Sequence, residues 1–117
     1  MRIQVSMAVA ALLALAGCAS DPAPTEQLRL TEQAVDQARA VGATDEVAEM
    51  KMASDKLASA QAANGLQSYR QARLLAEQSE LDARLAEARV LTEKSQEQLT
   101  QVNIRIVRLH KQLGEAQ

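Results

Sequence analysis

The chain has 117 residues, a formal charge of −2 and a single aromatic residue, Tyr69. With no Phe or Trp to wall a cavity, it buries little apolar area per residue and lacks the usual material of a ligand pocket, which speaks against an enzyme. One cysteine excludes an internal disulfide, and no stretch shows the sustained polar–apolar alternation of a strand.

Arg2 opens the chain, and an apolar run from Val5 to Ala16 follows it. That run is too short for a membrane-spanning helix, which needs about 20 apolar residues. A basic start, an apolar stretch and small residues before a cut form a secretory signal peptide over residues 1–17. The segment Leu15-Ala16-Gly17-Cys18 resembles the lipobox of bacterial lipoproteins. The resemblance implies cleavage before Cys18, a diacylated thiol, and acylation of the new amino terminus by a fatty acid such as palmitate. One acyl chain anchors marginally, at about 0.8 kcal/mol per buried methylene, whereas two or three hold firmly. Ala19, in place of an Asp after the cysteine, implies by the same resemblance the periplasmic face of the outer membrane rather than the inner membrane.

Removal of residues 1–17 leaves 100 residues, one domain, and takes Arg2 away, so the net charge becomes −3. Residues 18–25 comprise the lipidated cysteine and a tether that Pro22 and Pro24 hold extended. Residues 26–117 are then a helical domain rich in Ala, Leu, Gln, Glu, Arg and Lys.

The first helix is expected over about 26–41, capped by the Thr25 hydroxyl. Leu28, Thr31, Val35 and Ala38 recur on one face, and Gly42 suits the left-handed position after the end. Thr44-Asp45-Glu46 predicts a second helix over about 45–63. Its stripe is Val47, Met50, Ser54, Leu57 and Gln61, widened by Ala53, Ala60 and Ala63, and Asn64-Gly65 stops it. No breaker interrupts the chain from Leu66 to Leu113, so a third helix is expected over about 66–113.

That helix carries two stripes. Ala72, Ala76, Ser79, Ala83, Ala86 and Val90 suit a close approach to the shorter helices. Leu81, Leu85, Ala88, Thr92, Ser95, Leu99, Val102, Ile106, Leu109 and Leu113 alternate steps of four and three, a coiled-coil seam. The second helix reaches only the first twenty or so residues of the third at 1.5 Å per residue. The architecture is therefore all-α: a helical hairpin plus one long C-terminal helix whose last third projects.

Three segments carry a family likeness: Gln33–Ala43, Ala53–Gln61 and Tyr69–Ala83. They resemble the Ala-rich, uncharacterised lipoprotein domain of Gram-negative bacteria that stands alone or precedes an OmpA-like peptidoglycan-binding domain. The likeness implies fold and location and supplies no catalytic residues. The chain reaches Gln117 without an OmpA-like module, so that module's peptidoglycan binding is not carried over.

No constellation points to chemistry. His110 is the only histidine and has cationic neighbours, Arg108 and Lys111, which suits no zinc site. Acids and arginines at helical spacing, such as Glu80 and Arg84, form a solvated face. There is no Gly-rich phosphate loop, and neither a cofactor nor a metal is expected. Charge is uneven: Asp21 to Glu49 is net −5, whereas Lys94 to Gln117 is net +2. A periplasmic address and so small a basic patch speak against nucleic acid.

The expected role is structural or adaptor. Leu99, Val102, Ile106 and Leu109 are the expected partner contacts, with Arg105, Arg108 and Lys111 beside them. The partner is a second copy, an envelope protein or the nearby peptidoglycan, and lipid on Cys18 ties the protein to the membrane. The alternative is a helical regulator or chaperone of a periplasmic enzyme or client.

Overall fold

A computed structural model of the chain describes residues 21–115. The expected signal peptide, Cys18 and the start of the tether lie outside the described residues. Those residues form three helices, α1 (Thr25–Ala40), α2 (Ala48–Gly65) and α3 (Tyr69–Glu115), with no strand among them. The all-α hairpin with a long third helix is thus the observed fold.

Helix α1 begins one residue earlier than its capping signal suggests. Pro24 is the cap residue, buried, and its carbonyl accepts the Leu28 amide at 2.9 Å. Thr25 is already inside the first turn and makes no capping bond. A proline suits this boundary because it brings no amide that needs a partner. Leu28, Thr31, Ala34, Val35 and Ala38 are buried, which includes the whole expected face.

Both helix ends close by the same motif. After α1, Ala43 N–H bonds Ala38 O at 3.0 Å and Gly42 N–H bonds Arg39 O at 2.9 Å, with Gly42 at φ +100°. After α2, Ser68 N–H bonds Ala63 O at 2.9 Å and Gln67 N–H bonds Asn64 O at 3.0 Å, with Gln67 at φ 60°. These are Schellman closures. The expected stop at Asn64-Gly65 therefore needs correction: both residues are helical, and the left-handed residue is Gln67. A side chain there costs energy that glycine avoids. Gln67→Gly is accordingly expected to raise stability by about 0.5–1 kcal/mol and Gly42→Ala to lower it by about 1 kcal/mol or more. Paired urea titrations with constant slope check both signs.

The start of α2 is also displaced. Thr44-Asp45-Glu46 forms a turn, closed by Val47 N–H to Thr44 O at 2.9 Å, and the helix opens at Ala48. That turn seats Ala43 in the core and lays Val47 against it. The buried line of α2 is Met50, Ala53, Ala60 and Ala63. Leu57 is partly buried, and Gln61 is exposed. Small side chains face α3 because they let the helix axes come close.

Helix α3 is the common wall on which α1 and α2 both pack. Its buried residues are Ala72, Ala76, Ser79, Ala83, Ala86 and Val90, the whole of the expected small stripe. The largest fully buried side chains of the core are Met50, Val35, Thr31 and Ser79, so cohesion rests on close approach more than on side-chain bulk. Beyond Val90 the cover ends: every described residue from Leu91 to Glu115 is exposed. At 1.5 Å per residue, α3 extends for about 70 Å against about 27 Å for α2.

Candidate interaction surface

The projecting part of α3 is positioned by clamps along the bundle. Two hydroxyls cross the small-residue seams. Thr31 Oγ1 donates to Ala76 O at 3.0 Å and shares the proton with Gln27 O at 2.8 Å. Ser79 Oγ donates to Ala53 O at 2.6 Å. Both residues are fully buried, so their polar groups need these partners. Each ties α3 to one arm of the hairpin.

Charged pairs rim the seams. Lys56 meets Asp82 at 2.6 Å, and Arg89 reaches both carboxylate oxygens of Glu49 at 3.0 and 3.1 Å. The Glu49 charge beside it raises the Arg89 pKa above its usual value. Gln27 Nε2 donates to Glu80 at 2.9 Å, and Arg84 donates to the same carboxylate at 2.7 Å. The bond from Arg84, then that from Gln27, holds the Glu80 carboxyl below the usual 4.5. A carboxylate with a depressed pKa stabilises the fold above its unfolded-state pKa and loses that contribution as pH falls through the folded value. Glu80→Gln should therefore flatten the loss of stability below about pH 4.5, read as urea midpoint against pH.

Lys94 belongs by charge to the cationic end of the chain, but it serves the bundle. Its Nζ donates to the Val41 carbonyl at 2.6 Å, closing the C-terminus of α1, and lies beside Gly42. A cation there meets the negative end of the helix dipole. It is the last clamp before the overhang.

The second stripe of α3 faces away from the hairpin. At 100° per residue its ten positions centre roughly 160° from the buried small stripe. Leu81 is 68 % exposed, Leu99 64 %, Leu109 56 % and Leu113 68 %. Val102 and Ile106 are exposed as well. Its polar members are satisfied internally: Thr92 donates to Ala88 O at 2.7 Å and Ser95 to Leu91 O at 2.8 Å. Satisfied hydroxyls of this kind can be covered without stranding a donor.

The site residues expected from the sequence are brought together only in part. Leu99, Val102, Ile106 and Leu109 lie on one face, and helical spacing sets Arg105 at its edge. Arg108 and Lys111 emerge on the side that continues the bundle-facing surface. Lys111 pairs with Glu115 at 3.7 Å, whereas Arg105 and Arg108 have no ion-pair partner among the described residues. Ile104 and Val107, outside the expected set, are exposed too and make the tip apolar on more than one side. His110 is exposed, and no group of three His, Cys, Asp or Glu among the described residues is placed to hold a metal. No described helix is long and apolar enough to cross a membrane.

Comparison with known proteins gives one solved relative. It is a DUF4398 family protein from Pseudomonas aeruginosa PAO1, known from a crystal structure. It is 64 % identical over 82 % of this chain and 100 % of its own, with a TM-score of 0.80. No curated protein matches. Residues 26–102 match the domain of unknown function DUF4398, a span from the start of α1 to the middle of the overhang. The chain belongs to the DUF4398 family.

Proposed function

We propose that this protein is a cell-envelope lipoprotein, held by acyl chains on Cys18 at the periplasmic face of the outer membrane, with a structural or adaptor role. The observation that carries the role is the uncovered stripe Leu99, Val102, Ile106 and Leu109 on a helix that outruns its own bundle. An isolated amphipathic helix is marginal in water, so such a segment gains from a partner. The hairpin and its clamps hold the base of α3, and the stripe is offered at a distance from the tether. In this reading the partner is an envelope protein or a second copy, with peptidoglycan within reach.

Cys18→Ser tests the anchor. The variant is expected to appear in the soluble periplasmic fraction or as uncleaved precursor, and wild type in membranes. A variant processed and membrane-bound like wild type would refute the lipoprotein reading.

A further inference from the structure

The end of the bundle opposite the overhang carries a second exposed apolar group. The connection between α2 and α3 is Leu66-Gln67-Ser68. Leu66 is 79 % exposed, and Leu74, just beyond the connection, is 55 % exposed. Tyr69, Arg70, Leu74 and Asp21 line one open concavity there. Asp21 belongs to the tether, and the tether is fixed at this end. Arg73 Nη2 donates to Pro22 O at 3.3 Å, and Pro24 is buried at the start of α1.

The length of chain beyond Asp21 identifies the occupant. Cys18 is three residues upstream, so it lies within about 11 Å of Asp21 at 3.6 Å per residue or less. Acyl chains on that thiol would place a bilayer surface against the concavity. We propose that the α2–α3 turn is a membrane-contact patch that rests on the phospholipid surface into which the acyl chains insert. This inference rests on the lipidation of Cys18 proposed above. Leu66 and Leu74 enter the boundary between headgroups and acyl chains, a depth of about 5–10 Å. Tyr69 is amphipathic, which suits the headgroup level. Arg70 and Leu74, at i and i+4, share a face of α3, so the guanidinium reaches lipid phosphate while the leucine is buried. With the turn on the bilayer and α3 leaving it, the overhang projects away from the membrane.

The chain has no tryptophan, so an introduced one reports alone. Leu66→Trp, Leu74→Trp and, as a distal control, Leu99→Trp are made in the full chain and exported through the native route. The purified proteins are weighed for acylation and reconstituted in phosphatidylethanolamine–phosphatidylglycerol vesicles with or without brominated acyl chains. The expected result is an acylated protein whose Leu66→Trp and Leu74→Trp emission is roughly halved by brominated lipid, while Leu99→Trp is unaffected. An acylated, vesicle-bound protein with all three reporters unquenched overturns the patch and leaves the anchor standing. Quenching at Leu99→Trp alone overturns it too, by laying the other end of α3 on the membrane. A mass without acyl groups at Cys18 removes the anchor and this inference with it.

Discussion

Ala83→Leu is expected to lower stability by about 1–3 kcal/mol, the range for extra methylenes forced into a packed core. Ala83 is fully buried in a cluster with Ala53, Ala86 and Met50, where α2 packs on α3 largely through small side chains. A leucine there cannot be accommodated by rotation alone and must push the helices apart. The separation also strains the clamps on either side, the Ser79–Ala53 bond and the Lys56–Asp82 pair. For a domain of this size such a loss is a large fraction of the total, which runs about 0.05–0.15 kcal/mol per residue. Ala88→Leu is the control. Ala88 is exposed on the back stripe, and the same change there should stay within about 0.5 kcal/mol. Equal urea midpoints for the two variants would mean that close approach is not what holds this bundle.

The second large effect concerns the overhang. Val102→Asp with Ile106→Asp should leave the hairpin and its urea midpoint unchanged, because both side chains are exposed and touch neither α1 nor α2. In the proposed account these side chains are covered by a partner, and two carboxylates in an apolar seam would be desolvated without compensation. Any oligomer or partner complex should therefore dissociate, and helicity of the last third should fall once its cover is lost. Sedimentation of wild type and variant, with circular dichroism, separates the outcomes. An unchanged profile for a wild-type oligomer would move the seam elsewhere on the surface.

The parts of the fold that were legible in the sequence are those where spacing and size agree. The small stripe from Ala72 to Val90 is buried in full, because three-four spacing names one helix face and alanine lets that face come close. Gly42 is read correctly for a related reason: its φ of +100° is open to glycine at little cost. Local signals failed where two structures share them. Thr44-Asp45-Glu46 suits both a helix cap and a turn, and seating Ala43 and Val47 in the core selects the turn. In α2 the buried residues Met50, Ala53, Ala60 and Ala63 all fall within the expected set, but that set also takes in exposed Gln61, because nearly every face holds alanine or a small polar residue and hydrophobic contrast is low. Gln67 takes the left-handed position two residues after the glycine, as the closing bonds from Ser68 to Ala63 and from Gln67 to Asn64 require. At the candidate site the apolar stripe was legible and its exposure followed from helix lengths. The role of Lys94 was not, since only the fold brings it to the end of α1.

In the proposed reading, the back of the α3 overhang is the surface by which this protein meets its partner. A photo-crosslinking residue at Val102 in living cells tests it most directly, with Ala58 on the exposed side of α2 as the comparison. The expected result is a discrete light-dependent adduct from Val102 and none from Ala58, at twice the protein's mass if the partner is a second copy. Adducts from Ala58 with none from Val102 would contradict it.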